Sequence, residues 1–187
     1  DFADLDAGGV RGIRFNFVTH LGGTPDLDMM KRVLHRIMPL GWHLVIHVNA
    51  EDIIKFQEFF LQFKMEIIVD HMGRVTTSKG LHQKAFQILK DFVRRDNWWV
   101  KICGSERISS AGPPFHDAVP FAQELAEIAP NRTLWGTDWP HPNIKKFMPN
   151  DGDLVDLVPL LARDEGLQRK ILVDNPARLY GFDDKEK

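Results

Sequence analysis

The stretch "EIIVDHMG" (Glu66–Gly73) is a short apolar run that ends in an aspartate, a histidine and a glycine. Its central residues are apolar at consecutive positions, which is typical of a strand buried on both faces of a parallel sheet. A helical pattern follows it at Leu81–Val93. The stretch therefore predicts a βα unit with polar side chains at the carboxyl end of its strand.

The same alternation of strand and helix continues in both directions along the chain. Four more apolar runs predict strands, at Val10–Val18, His43–Asn49, Trp98–Gly104 and Arg132–Asp138. Helical patterns lie between and after them, at Thr24–Leu40, Asp52–Phe63, Ala118–Ala129, Leu154–Leu161 and Leu167–Tyr180. We expect Thr24 to cap the first of these helices and Gly41 to end it. No linker or shift in charge divides the chain, so one domain is predicted over residues 1–187.

Composition narrows the classes of function. The chain has 187 residues, of which 43% are hydrophobic and 27% charged, and a formal net charge of -2. That charge gives no reason to expect a nucleic-acid or membrane partner. A single cysteine fits a reducing compartment, and neither a membrane span of about 20 apolar residues nor a secretory signal is visible. We expect a soluble, cytoplasmic protein and leave its oligomeric state open.

Two α/β architectures agree with this pattern, an open doubly wound sheet and a (β/α)₈ barrel. The open sheet favours a glycine-rich phosphate loop, and neither G-x-G-x-x-G nor a P-loop occurs in the sequence. The predicted strands instead end in polar residues, as strands do at the catalytic rim of a barrel. A full barrel takes about 250 residues, so we expect three βα units to be absent from the N-terminal side.

Six segments that cover nearly the whole chain form a specific set. They are "RGIRFNF" (11–17), "HLVIHV" (43–48), "IIVDHMGR" (67–74), "SERIS" (105–109), "LWGTDWPHPN" (134–143) and "LVDNPARLYGF" (172–182). Together and in this order they resemble the amidohydrolase superfamily, and more closely its 2-pyrone-4,6-dicarboxylate lactonase branch. In that family the barrel begins with an H-x-H strand, which this chain lacks. The resemblance implies the last five βα units of a TIM-type (β/α)₈ barrel.

The resemblance also implies chemistry for the strand ends. A hydrolase of this kind opens the lactone ring of a carboxylated pyrone or muconolactone-like compound in aromatic-compound degradation. Asp138 would be the base that takes a proton from water, held in place by Pro140 and Pro142, and His71 would polarise the carbonyl or bind a metal. From the residues alone, Asp138 could equally be a helix-capping or salt-bridged carboxylate.

Substrate binding is assigned by the same resemblance. Arg14 and Arg107 match arginines that hold substrate carboxylates, a role suited to the planar guanidinium. Two positions depart from the lactonase pattern, because His20 replaces a second arginine and His47 replaces a tyrosine. We expect both histidines to line the site, and His141 is either a residue that orients Asp138 from the following loop or a histidine of the surface loop.

The cofactor remains open at this stage. His47, His71 and Asp138 could complete a zinc site together with an H-x-H strand, although the close lactonase relatives work without metal. We expect no metal in this chain alone. Asp70 should face away from His71 if the strand is regular, and Cys103 should be a small buried hydrophobe.

Two other functions stay possible. One is a zinc-dependent decarboxylase or hydratase of the same superfamily, and the other is a non-catalytic remnant that binds carboxylates.

Overall fold

The computed structural model describes residues 1–145 and 147–182. Its described part contains one sheet of five parallel strands, which lie side by side in chain order. The strands are β1 (Gly12–Asn16), β2 (His43–His47), β3 (Ile67–Val69), β4 (Trp98–Lys101) and β5 (Thr133–Leu134). A doubly wound sheet reverses its strand order at a switch point, and this sheet does not reverse. The prediction of a partial (β/α)₈ barrel that contains five βα units is confirmed.

Helices separate the strands and continue beyond the last one. In the described residues they are α1 (Phe2–Ala7), α2 (Leu27–Ile37), α3 (Ala50–Phe60), α4 (Lys84–Val93), α5 (Ser105–Ile108), α6 (Val119–Ile128), α7 (Asp151–Asp156), α8 (Val158–Leu161), α9 (Glu165–Arg169) and α10 (Asn175–Tyr180). None of these helices is long and apolar enough to cross a membrane.

The two faces of the sheet bury different layers. Alternate residues such as Leu44, Ile67 and Val100 point outward into the main core, where they pack with the helices. The opposite face carries a smaller apolar cluster that includes Ile68 and Trp99. Since both faces are covered, the strands need apolar residues at consecutive positions, which explains the pattern in the sequence.

Several element boundaries differ from the prediction. Helix α2 begins at Leu27, because Asp26 rather than Thr24 accepts hydrogen bonds from the backbone N–H groups of Asp28 (2.9 Å) and Met29 (3.0 Å). Strands β3 and β5 are shorter than expected, and α1 and α5 were not predicted. The polar residues after these two strands, Asp70, His71 and Asp138, therefore lie outside the strands, where each side chain can point independently of the pleat.

Candidate active site

The turn after β3 determines which side chains face the site. His71, Met72 and Gly73 take left-handed backbone conformations, with φ of 49°, 51° and 64°. This break in the pleat brings Asp70 and His71 to the same side, where both line a cavity of about 290 Å³ with Arg14. The prediction that Asp70 faces away from His71 was wrong, because it assumed a regular strand.

Asp70 is the centre of a buried ion-pair network. One carboxylate oxygen lies 2.7 Å from Arg14 Nε and the other lies 2.8 Å from Lys101 Nζ. Burial opposes ionisation, but the nearby charges of Lys101 and Arg14 lower the pKa of Asp70 below its ordinary value. Arg14 is thus anchored at Nε while its side chain stays 44% exposed.

Asp138 lies where β5 has already ended, in the left-handed region at a φ of 65°. Arg107, in the short helix α5 that follows β4, donates to Asp138 Oδ2 from Nε (2.6 Å) and Nη2 (2.5 Å). A third donor of Arg107 reaches the carbonyl oxygen of Pro142 at 3.0 Å. Arg107 therefore fixes both the carboxylate and the loop that follows it. Its predicted contact with a substrate carboxylate stays a prediction.

His71 faces the other oxygen of the same carboxylate. Its Nε2 lies 3.6 Å from Asp138 Oδ1, so the two residues predicted to be catalytic meet at the same end of the sheet. Burial, only partly opposed by the charges of Asp70 and Asp138, lowers the pKa of His71 to about 4. The imidazole is therefore neutral near pH 7 and can donate from one ring nitrogen only.

His47 lies beside His71, with ring centroids 5.3 Å apart, and His20 lies 6.5 Å from His47. Asn16 Oδ1 is 3.0 Å from His47 Nδ1. Burial and the charge of Arg14 lower the pKa of His47 to about 3. The structure thus brings both replacement histidines to the site.

His141 does not contact the Asp138 side chain. Its Nε2 lies 3.0 Å from Asp151 Oδ1, and only its backbone N–H donates to the Asp138 carbonyl oxygen, at 2.9 Å. Asp151, at the start of α7, thus engages the His141 ring, and the orienting role of this histidine stays a prediction. The backbone hydrogen bond between His141 and Asp138 still fixes the turn that these residues form.

Three further residues reach the site and were not assigned from sequence. Cys103 Sγ lies 3.4 Å from His71 Nδ1, so the buried thiol is a polar neighbour as well as a hydrophobe. Arg74 donates from Nε to Asn49 Oδ1 at 3.1 Å and lines a second cavity, the upper pocket, together with Arg14, His20, His47, His71, Arg107 and Asp138. Glu106 is buried 3.5 Å from Arg107 Nε. Each of the three lies within four residues of a predicted site residue. This closeness in sequence could have indicated that they lie near the site.

The proposed metal ligands do not form a metal site by themselves. Within residues 1–145 and 147–182, no group of three or more His, Cys, Asp or Glu side chains is arranged to hold a metal ion. Asp138 Oδ2 is engaged by Arg107, which competes with any cation for that oxygen. The described residues therefore do not fit a metal ion by themselves.

Comparison with known proteins identifies the family. The amidohydrolase family model matches residues 3–182. A 2-pyrone-4,6-dicarboxylate hydrolase of Comamonas testosteroni is 43% identical over 189 residues, which cover 96% of this chain and 62% of that protein. A 4-sulfomuconolactone hydrolase of Rhizobium radiobacter is 44% identical over 184 residues, which cover 97% of this chain and 62% of that protein.

Solved structures agree with these relatives. A Pseudomonas putida structure named as a 2-pyrone-4,6-dicarboxylic acid hydrolase superimposes with a TM-score of 0.83 at 30% identity, over 97% of this chain and 67% of that one. The chain spans about 62% of the length of the two hydrolases above. By its family match and by its identity to these proteins, the chain belongs to the amidohydrolase family.

Proposed function

We propose that the protein is a hydrolase that opens the lactone ring of a carboxylated pyrone or muconolactone-like compound in aromatic-compound degradation. The observation that carries the proposal is the Asp138 carboxylate, which Arg107 holds by one oxygen while the other faces His71 Nε2 at 3.6 Å. The relatives named for 2-pyrone-4,6-dicarboxylate and 4-sulfomuconolactone support the substrate class.

The chemistry follows from this arrangement. His71 donates a hydrogen bond to the lactone carbonyl oxygen while Asp138 Oδ1 accepts a proton from water, and the hydroxide formed attacks the carbonyl carbon. The ring C–O bond then breaks, and the departing oxygen takes the proton back from Asp138. The product is a single ring-opened molecule that carries a hydroxyl or enol group and a new carboxylic acid, which loses its proton to solvent at neutral pH.

The upper pocket explains why the substrate would carry carboxylates. It encloses about 260 Å³, and Arg14, Arg74 and Arg107 line it together with His20 and His47. Three arginines and one acidic side chain, Asp138, line this pocket, so its net charge is positive. Guanidinium groups that line a half-open pocket favour planar carboxylates.

A direct assay separates the candidate activities. The full-length protein is incubated with 2-pyrone-4,6-dicarboxylate, muconolactone or 4-sulfomuconolactone, and loss of ultraviolet absorbance or of lactone is followed. Hydrolysis supports the proposal. Release of carbon dioxide would indicate a decarboxylase, and tight binding without turnover would indicate a carboxylate-binding remnant.

Metal dependence is tested in the same preparation. We propose that hydrolysis needs no metal, since Asp138 and His71 supply the base and the carbonyl donor. Activity that survives exhaustive chelation supports this. Stoichiometric zinc that is lost together with activity would contradict it and would make His47 a candidate ligand.

A further inference from the structure

The two buried imidazoles of the site differ in what their Nδ1 atoms contact. His47 Nδ1 faces the side-chain oxygen of Asn16 at 3.0 Å, whereas His71 Nδ1 faces the thiol of Cys103 at 3.4 Å. Both rings are at least 95% buried, and both line the upper pocket. The group bound at Nδ1 decides whether Nε2 carries a proton, because a neutral imidazole has one N–H and one bare nitrogen.

The partner of His47 is an acceptor. A carbonyl oxygen such as Asn16 Oδ1 cannot donate, so His47 Nδ1 must carry the proton in this hydrogen bond. The Nε2 atom is then bare. In the described part of the chain this buried nitrogen has no hydrogen-bond partner, which leaves an acceptor available for a ligand or water.

The partner of His71 is a donor. Nε2 lies 3.6 Å from a carboxylate oxygen of Asp138, which is too far for a hydrogen bond, so Asp138 favours a proton on Nε2 only weakly and the hydrogen bond from the thiol at Nδ1 adds the remaining preference. Nδ1 is then bare and accepts from the Cys103 S–H group. Burial raises the pKa of Cys103 to about 12, so the thiol keeps its proton at neutral pH.

Gly104 permits the contact between Cys103 and His71. It has a φ of +82°, and a Cβ atom there would lie 3.0 Å from His71 Nδ1. A larger residue at this position would push the segment between β4 and α5 away from the imidazole. The close approach of the thiol thus depends on a local glycine as well as on the cysteine.

We propose that Asn16 and Cys103 are positioning residues that hold His47 and His71 in opposite tautomers, so that the site offers a bare nitrogen beside an N–H group. This proposal rests on the proposed hydrolysis only for its catalytic consequence. The tetrahedral intermediate of lactone opening carries an oxyanion and a hydroxyl on one carbon. The His71 N–H donates to the oxyanion and His47 Nε2 accepts from the hydroxyl, while Asp138 keeps the proton that it took from water until the departing ring oxygen takes it.

The tautomers are measured without substrate. The full-length protein is labelled with ¹⁵N-histidine, and its ring nitrogens are recorded by NMR at pH 7 with a chelator present. We expect a protonated Nδ1 in His47 and a protonated Nε2 in His71. Cys103→Ser and Asn16→Asp keep a donor and an acceptor and should preserve this pattern, whereas Cys103→Ala and Asn16→Ala should give mixed tautomers at the neighbouring ring only.

Two results would overturn the proposal. The first is that both rings of the unmodified protein have the same tautomer. The second is that the tautomers do not change in Cys103→Ala and Asn16→Ala. Because these spectra need no turnover, they stand even if the substrate class is wrong. If an alanine variant does not fold, the spectrum of the unmodified protein still decides the first result.

Kinetics then tests the consequence. Cys103→Ala should lower kcat on the order of tenfold with little change in KM. This decrease is smaller than the one expected when an oxyanion donor itself is removed. Cys103→Ser should restore kcat. Equal kcat values in both variants would contradict a role of Cys103 in catalysis.

Discussion

At the scale of single residues, the asymmetry of the Asp138 carboxylate is the central feature of the site. Arg107 takes Oδ2 with two N–H groups, whereas Oδ1 has the His71 imidazole at 3.6 Å. The left-handed φ of 65° costs a non-glycine residue on the order of 1–3 kcal/mol, although aspartate tolerates it better than most. The surrounding contacts must supply this free energy, which fits a residue placed for chemistry.

Asp138→Asn should abolish turnover and leave substrate binding largely intact. An amide keeps the size of the side chain but cannot accept the proton of water at neutral pH. Single-turnover kinetics and binding titration check the two halves of this prediction. A near-normal kcat would show that another group is the base.

Arg107→Ala should lower kcat as well as raise KM. The sequence alone predicts only a loss of substrate affinity, but in the structure this guanidinium also holds Asp138 and the carbonyl oxygen of Pro142. Loss of a buried charge-assisted pair is worth about 1.5–3 kcal/mol. Steady-state kinetics measures both constants.

Arg11→Ala is the matched control, because Arg11 pairs on the surface with Asp6 at 3.3 Å and should change neither constant. If Arg107→Ala altered KM alone, Arg107 would serve the substrate and not Asp138.

At the scale of elements, the βα pattern was predictable because consecutive apolar residues report burial on both faces of a strand. The conformation of the turn after β3 was not predictable. Of its three residues with a left-handed backbone, His71, Met72 and Gly73, only the glycine favours that conformation. The pairing of Arg107 with Asp138 spans 31 residues. Their proximity was predictable because the two residues follow the adjacent strands β4 and β5. The acceptor of the Arg107 hydrogen bonds depends on loop geometry, which no local sequence pattern predicts.

A carboxylate outside the site joins two of its loops. Asp117 accepts hydrogen bonds from Thr77 Oγ1 (2.5 Å), Ser109 Oγ (2.6 Å) and the N–H groups of Ser110 (2.9 Å) and Ala111 (3.1 Å). Burial opposes ionisation, but these donors lower the pKa of Asp117 to about 2. The segment after α5 is thereby tied to the one that follows β3.

Asp117→Asn should reduce the free energy of unfolding by about 1–3 kcal/mol at pH 7, because an amide turns one acceptor into a donor that faces other donors. The stabilisation by the carboxylate is present above the unfolded pKa, near 3.8, and is lost as pH falls towards 2. Urea denaturation at pH 7 measures the difference. Asp156→Asn, at an exposed position of α7, is the control, and an equal loss there would refute the prediction.

At the scale of the whole molecule, buried neutral histidines should make stability depend on pH. Burial lowers the pKa of His43 and of His71 to about 4 and that of His47 to about 3. The unfolded chain takes up a proton at each of them near pH 6.5, whereas the folded chain does not. Between pH 6.5 and about 4 the unfolded state therefore binds more protons, and stability falls as pH is lowered.

The expected slope is at most about 1.4 kcal/mol per pH unit for each such histidine. Urea midpoints from pH 7.5 to 4.5 measure it. His82→Gln, at an exposed position, should leave the slope unchanged, while His43→Asn should reduce it. A midpoint that stays constant over this range would show that these rings are protonated in the folded protein.

The arginines of the upper pocket also act on molecules that have not yet bound. The chain as a whole carries a formal charge of -2, so a dianion is not drawn to its surface in general. Arg14, which is 44% exposed, and its neighbours Arg74 and Arg107 concentrate positive potential at one opening. We therefore expect the carboxylates of the proposed substrate to be captured faster there than elsewhere, and we expect this capture to weaken as dissolved salt shortens the reach of the field to about 8 Å at physiological ionic strength.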